Sequence, residues 1–389
     1  MIDIMNQVGF DIAVLGNHEF DYGEAILADR VNQSNFEWIC ANVDMGNSVV
    51  PQPADFNSIE IGGLKVTFLG LVETNGKDNA TIPSTHPFRV KNLTFQRPEN
   101  VVSQYAQLKQ QEDSDLLIAL THIGSGGSSS VLGDTQLAMD YPYFDLIIGG
   151  HSHREINTVV NDIPIFQAGA NLYKLGKITL SVKDKEIKDL DFELIDLNDY
   201  TDYDTTLKSN IDAYNNDPEL KEVIGTATLD IGTTILGCYY TDVLRRSGDV
   251  DITFQNSGGI RSSLDEGDIT KREIYEIDPF NNGFIIYSIT VGEIKTFLKN
   301  SGSGFYYSGV EITQSGNDII IKDWSDNELS DNAVLSLGIN DYIPAVFDDY
   351  FPAYGETQSL TTAETIISYI QNVNSTVDYY YCNRYFRFE

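Results

Sequence analysis

The sequence predicts a layered α/β protein of two domains, and three observations carry that expectation. Its 389 residues exceed what one domain of about 100–200 residues ordinarily holds. Short runs of Val, Ile and Leu alternate with helical or polar stretches as far as about residue 185, the grammar of stacked strands and helices. An acidic segment from Asp196, poor in core residues, then separates this pattern from a second one beginning near Gly225. The expected boundaries are 1–198 for the first domain, 199–224 for a linker helix and 225–389 for the second domain.

Each element has its own signal. Ile2, Met5 and Val8, followed by Gly9, form one face of a helix stopped by glycine. No capping residue precedes that helix, so the chain reads as opening inside an element. FDIAVLG, LKVTFLGLV, DLLIAL and FDLIIGG are short apolar runs of the kind that fill buried strands. FEWICANV is a further candidate strand, Glu99–Gln111 reads as one helix, and KITLSVKD alternates as an edge strand should. Asp204 to Ala213 is expected as a solvated helix in the linker. The aromatic tail DYYYCNRYFRFE is expected as a terminal strand.

Charge narrows the function. With 25 basic and 58 acidic residues the net charge is −33, which repels nucleic-acid polymers and anionic lipid. A phosphate-bearing substrate would need metal ions or a few placed arginines to invert the local field. Cys40, Cys238 and Cys382 lie far apart in no zinc-knuckle spacing, and an odd count leaves at least one thiol unpaired. No apolar run approaches the ~18–20 residues of a transmembrane helix. The opening MIDIMNQVGF has no signal-peptide pattern. Oligomeric state is not legible in the sequence.

The chemistry gathers at three strand ends. IAVL runs into Asn17-His18-Glu19-Phe20-Asp21, LLIAL into Thr121-His122, and DLII into Gly149-Gly150-His151-Ser152-His153. Four of the five histidines fall at these places. Strand ends of an α/β sheet open into a common crevice, so Asn17, His122, His151 and His153 can converge as ligands of a divalent metal. Imidazole and amide donors suit Zn²⁺, Mn²⁺ or Fe²⁺ better than Ca²⁺ or Mg²⁺. In an extended backbone the i, i+2 spacing puts His151 and His153 on one side. Asp21, three residues after His18, can hold its imidazole as a catalytic pair; its other reading is a helix N-cap. His86, before a proline and without strand or glycines, reads as a surface residue.

The second domain offers a ligand site of its own. ITFQ leads into Asn256-Ser257-Gly258-Gly259-Ile260-Arg261. Gly258 and Gly259 let backbone approach a ligand, while Asn256 and Arg261 supply directional bonds and a positive fork suited to phosphate or carboxylate. Phe280 sits in a Pro-Phe turn where it could stack on a base. Phe347, Tyr350, Phe351 and Tyr354 crowd one loop, either as core or as a second stacking surface.

Together GNHEFDYG, THIG, GGHSH, NSGGIR and IYEIDPFNN resemble the 5′-nucleotidase family: a calcineurin-like metallophosphatase domain, a layered β-sandwich flanked by helices, followed by a second α/β nucleotidase C-terminal domain. The resemblance implies a dinuclear Zn or Mn centre with Asn17, His122, His151 and His153 among its ligands, and His18 with Asp21 as catalytic dyad. It implies nucleotide binding by Asn256, Gly258, Gly259, Arg261 and Phe280, with Tyr350 in the second stacking loop. The implied reaction converts a nucleoside monophosphate to nucleoside plus phosphate through attack by a metal-bound hydroxide, in a periplasmic, secreted or cell-surface location. Relatives of this architecture cleave 2′,3′-cyclic nucleotides or nucleotide-sugar pyrophosphates, which stay open as alternatives.

Two departures set further expectations. The family's D-x-H strand and its bridging Asp, which precede GNHE, are not in this sequence, so the chain reads as N-terminally truncated, without the first strand and its helix. The ligands that remain are neutral, and two cations about 3.5–4 Å apart need anionic ligands between them. The chain as given is therefore expected to be impaired, with an inactive nucleotide-binding fragment as the third reading. Cys238 also stands where the family usually has Asn, and no Arg lies in LDIGTTI, which leaves the base preference open.

Overall fold

Leu116 and Ile118 enter one hydrophobic core while their neighbours Leu117 and Ala119 enter another, because successive residues of a strand point to opposite faces. Such a strand must be covered on both sides, and in the computed structural model it is. The structure describes residues 1–77, 81–126 and 132–389, and divides into two units, Met1–Ile211 and Asp212–Glu389.

In the first unit six strands lie in the order Phe56–Ile61, Leu64–Val72, Leu116–His122, Leu146–Ile148, Ile163–Ala168, Glu155–Val160. The second to fifth run parallel. One face is covered by Val101, Val102, Leu108, Leu137 and Ala138 from short helical segments. The other is covered by a hairpin, Lys174–Lys183 with Glu186–Asp196, whose Phe192 stacks 4.2 Å from Phe166. A separate parallel pair, Ile12–Val14 with Glu37–Ile39, has its own core of Leu15, Phe20, Leu27, Phe36 and Trp38. The first helix is Ile2–Val8, and Gly9 ends it in the left-handed conformation.

Two expectations are corrected here. Glu99–Gln111 is not one helix: Pro98–Val101 and Leu108–Gln111 flank the 3₁₀ turn Val102–Tyr105. The chain departs from helix at Val101 (φ −107°, ψ −36°), and Val101 and Val102 both enter the core. KITLSVKD is an edge strand, as expected, of a two-stranded hairpin whose apolar side closes a face of the main sheet. In the tail only Tyr385–Arg387 is strand. The segment before it is tied instead to the helix Thr233–Ser247, through a Cys238–Cys382 disulfide and by Tyr379 and Arg384 donating to Asp242. Cys40 is the remaining thiol and is buried.

The second unit is built on the order Glu356–Thr361, Gly283–Thr290, Val334–Asn340, Ile252–Asn256, Gly304–Ser308, Tyr385–Arg387. Ile252 and Phe254 fill one core. On the other face the Thr253 hydroxyl donates to the Thr241 carbonyl at 2.8 Å, docking the helix Thr233–Ser247. Three helices begin with the same reciprocal box, Thr270/Glu273, Thr290/Glu293 and Thr361/Glu364, in which each side chain satisfies an N-terminal amide of the other. The helix Thr205–Tyr214 has no buried residue. Among the described residues no helix is long and apolar enough to cross a membrane.

Candidate active site

Parallel strands bring their C-terminal ends to one edge, and in the first unit those ends carry Glu73, His122 and the loop to His151. Asn17 arrives from the end of Ile12–Val14. It is buried, and its amide nitrogen donates to the Ser84 carbonyl at 3.0 Å. That bond fixes the side chain so that Oδ1 faces the imidazoles. Oδ1 lies 3.0 Å from His122 Nε2 and 3.2 Å from His151 Nδ1, while the two rings sit edge to face at 5.2 Å.

Glycine makes this approach possible. A Cβ on Gly16 would stand 3.0 Å from the His122 ring, and one on Gly150 would stand 3.2 Å from its Nδ1. Burial, reinforced by the neighbouring His151, His18 and His153, pushes the His122 pKa down to about 4. His151 is lowered too, chiefly by burial, against the opposing charge of Glu73. Both rings are therefore neutral near pH 7 and carry a lone pair for a cation.

His153 stands apart. His151 and His153 both have positive φ, 73° and 56°, so the backbone is not extended as the i, i+2 reading requires. The Ser152 amide instead bonds back to Gly150 O at 2.9 Å. His153 is exposed and makes no hydrogen bond among the described residues, though its charge is felt at His122. Left-handed φ at two non-glycine residues is uncommon and marks a loop held by its surroundings.

His18 Nδ1 meets Asp21 Oδ2 at 2.7 Å. Asp21 is not a helix N-cap: it closes the 3₁₀ turn Asn17–Phe20, and the helix Gly23–Gln33 is preceded by Tyr22, with no side-chain cap. The other Asp21 oxygen accepts from the Thr85 hydroxyl at 3.2 Å, and its carbonyl accepts from Arg89. Glu19 turns inward, where its carboxylate accepts the Gly16 amide at 2.5 Å and burial raises its pKa. His86 is buried, not superficial, and its Nδ1 accepts the Phe88 amide at 3.3 Å. Glu73, absent from the sequence reading, follows its strand directly and accepts the amides of Asn75 and Ser84 at 2.5 and 2.6 Å. An acid placed immediately after the apolar run LKVTFLGLV was the available signal.

Among the described residues no three His, Cys, Asp or Glu side chains converge as a metal-ligand group. What converges is an amide oxygen and two imidazoles. Donors about 2.1 Å from a shared ion in a tetrahedral set lie roughly 3–3.5 Å apart, so these three fit one divalent cation. A second cation beside it would need anionic donors between the two, and the three that converge are neutral.

In the second unit, Asn256 ends its strand beside Asn340, whose Nδ2 donates to Asn256 Oδ1 at 2.9 Å. Asn340, fully buried, was missed by sequence reasoning, although it follows VLSLGI just as Asn256 follows ITFQ. Gly259 is required by packing, since a Cβ there would meet the Gln255 side chain at 2.1 Å; one on Gly258 would meet only Asn256 Nδ2, at 4.0 Å. The Arg261 guanidinium lies 5.7 Å above the Phe280 ring, and Arg261 N bonds to Ile277 O. Tyr350 is half-buried with its ring 6.2 Å from Phe297, alongside Phe347 and Phe351, so this part of the aromatic loop is core. Tyr354 is 91% exposed.

Comparison with known proteins follows this division. Residues 3–155 match the family of calcineurin-like phosphoesterases, and residues 218–356 match the 5′-nucleotidase C-terminal domain. The chain is 28% identical over 376 residues to the trifunctional nucleotide phosphoesterase YfkN of Bacillus subtilis, covering 80% of this chain but only 25% of that protein. A 5′-nucleotidase of Vibrio cholerae is 23% identical, with 96% of this chain and 78% of that protein covered. Among solved structures, a 5′-nucleotidase precursor from Thermus thermophilus superposes with a TM-score of 0.83 at 21% identity, over 98% of this chain and 85% of that one.

Proposed function

The chain belongs to the family that joins a calcineurin-like phosphoesterase domain to a 5′-nucleotidase C-terminal domain, and from that membership we propose that it hydrolyses nucleoside monophosphates to nucleoside and phosphate with a divalent cation. The observation that carries this reading is the meeting of Asn17 Oδ1 with His122 Nε2 and His151 Nδ1, from three separate strand ends, with the His18–Asp21 pair four residues or fewer along the chain from Asn17. Asn17, His122 and His151 would hold the cation, and Zn²⁺ or Mn²⁺ suits their donors. When bound, such an ion supplies Lewis acidity that offsets charge on the phosphoryl oxygens.

The chain's own groups do the rest. Asp21 fixes the His18 ring through Nδ1, so proton transfer to a leaving alkoxide runs through Nε2. In the second unit Arg261 and the Asn256 amide offer bonds to an anionic or polar nucleotide edge, and Phe280 and Tyr354 offer aromatic surface. The Cys238–Cys382 disulfide supports an extracytoplasmic location, because such bonds persist where the redox poise is oxidising. The net charge argues against a nucleic-acid polymer as partner.

A second reading has an observation behind it. The three donors that meet at Asn17 Oδ1 are all neutral, a set that suits nucleotide binding without turnover. Phosphate release from AMP with Mn²⁺, beside calorimetric AMP binding, separates the two. The hydrolase reading expects release that His18→Ala reduces at least about a hundredfold. Binding with no release supports the second reading, and neither binding nor release contradicts both.

A further inference from the structure

His151 and His153 sit in backbone conformations that side-chain-bearing residues rarely adopt, and something must hold them there. Directly behind the loop lies a chain of polar side chains that the chemistry above does not use. Asp134, fully buried, opens the helix Asp134–Asp140. Its Oδ1 accepts the Thr121 hydroxyl at 2.5 Å, and Thr121 precedes His122. Its Oδ2 accepts Gln167 Nε2 at 2.7 Å. Gln167, 2% exposed on the strand Ile163–Ala168, uses its Oε1 to accept the Ser152 hydroxyl at 2.5 Å. Ser152 lies between His151 and His153. The Asp134 amide also donates to Gly124 O at 2.8 Å, two residues beyond His122.

The chain thus ties both imidazole-bearing strand ends to one buried carboxylate. It leaves no room for error on its inner side: a Cβ on Gly149 would stand 2.0 Å from Asp134 Oδ2 and 2.7 Å from Gln167 Nε2. We propose that Asp134, Gln167, Ser152 and Thr121 form the positioning frame of the cation site, setting the His151–His153 loop against His122 so that both rings reach Asn17 Oδ1. None of the four touches the cation. They act as the outer partners that orient ligands in metal sites. The proposal rests on the reading of Asn17, His122 and His151 as cation ligands.

The frame's logic is one of bonding, not of charge. In Asp134→Asn the new amide keeps an acceptor for Thr121, Gln167 turns its carbonyl to the new donor, and its amide then meets the Ser152 oxygen. Every link is restored, the two through Gln167 with reversed polarity. In Asp134→Ala or Gln167→Leu no such repair exists.

The test is calorimetric titration of the full chain with Mn²⁺ alone, accompanied by NMR of the five histidine rings in the metal-free protein. We expect Asp134→Ala, Gln167→Leu and Gly149→Ala to weaken Mn²⁺ binding about tenfold to a hundredfold. Asp134→Asn should stay within about threefold of the parent, since the orientation of the two rings and not charge is what the site needs. In the metal-free protein the same weakening variants should shift the His122 and His151 resonances and leave that of His86 in place. Unchanged affinity with unchanged ring resonances overturns the frame while leaving the ligand reading intact. A parent chain that binds no Mn²⁺ overturns the ligand reading, and the ring resonances then decide the frame alone. A His86 resonance that moves with the others, in a variant of lowered melting temperature, shows a general packing defect and also overturns it.

Discussion

At the residue scale, the site depends on neutral imidazoles and on one oriented pair. His122 is held neutral by burial and by its histidine neighbours, and Asn17 is locked by Ser84. Replacing Asn17 by Asp would add a charge where the amide oxygen now meets two rings. Ser84 O would lose its donor in that variant. Asp134 gives a pH prediction. Burial pushes it up to about 6, against about 3.9 for an unfolded Asp. The native carboxyl therefore binds its proton more tightly than the unfolded one. Its contribution to stability is full below about pH 4 and is lost as pH rises through 6. Asp134→Asn does not ionise, so its melting temperature relative to the parent is expected to climb between pH 4 and pH 7. Melting curves at several pH values check this, and a constant or falling difference contradicts it.

At the element scale, the Cys238–Cys382 bond closes a span of 144 residues and fastens the tail to the helix Thr233–Ser247. Replacing both cysteines by serine is expected to cost about 2–5 kcal/mol in denaturant unfolding. Thr361→Ala removes one capping box and should cost about 1 kcal/mol. The strands were legible because LKVTFLGLV and DLLIAL are apolar at most of the positions that face a core, the buried Thr67 being the exception, and both faces are cores. The meeting of Asn17 with His122 was legible because apolar strands of an α/β domain end at a common crevice, although Ile12–Val14 pairs with Glu37–Ile39 and not within the six-stranded sheet. The turn at His151 was not, because left-handed φ at a histidine is imposed by Gly150 and by the residues packed behind it, and no local pattern announces it. The kink near Val102 and the fastening of the tail were hidden likewise: both are decided by partners far away in sequence. Asn340 and Glu73 show the converse, polar residues at strand ends whose signal was present but unread.

At the scale of the whole molecule, a net charge of −33 opposes the approach of any phosphate ester. Salt screens that repulsion, so the association rate of AMP is expected to rise severalfold as NaCl increases from about 0.01 to 0.15 M; stopped-flow binding that slows with salt would instead indicate a locally positive entry. Thiol titration reads the redox architecture directly. Cys40 is buried and its thiol pushed up to about 12, so a thiol reagent should find no reactive group in the native chain, one after unfolding, and three after unfolding with reduction. The central claim is that residues from three strand ends close on a single divalent ion, and equilibrium dialysis against Mn²⁺ tests it most directly. The expected result is one equivalent bound by the parent and by His18→Ala, and none by His122→Ala or His151→Ala. No bound metal in the parent, or an equivalent retained after His122→Ala, would contradict it.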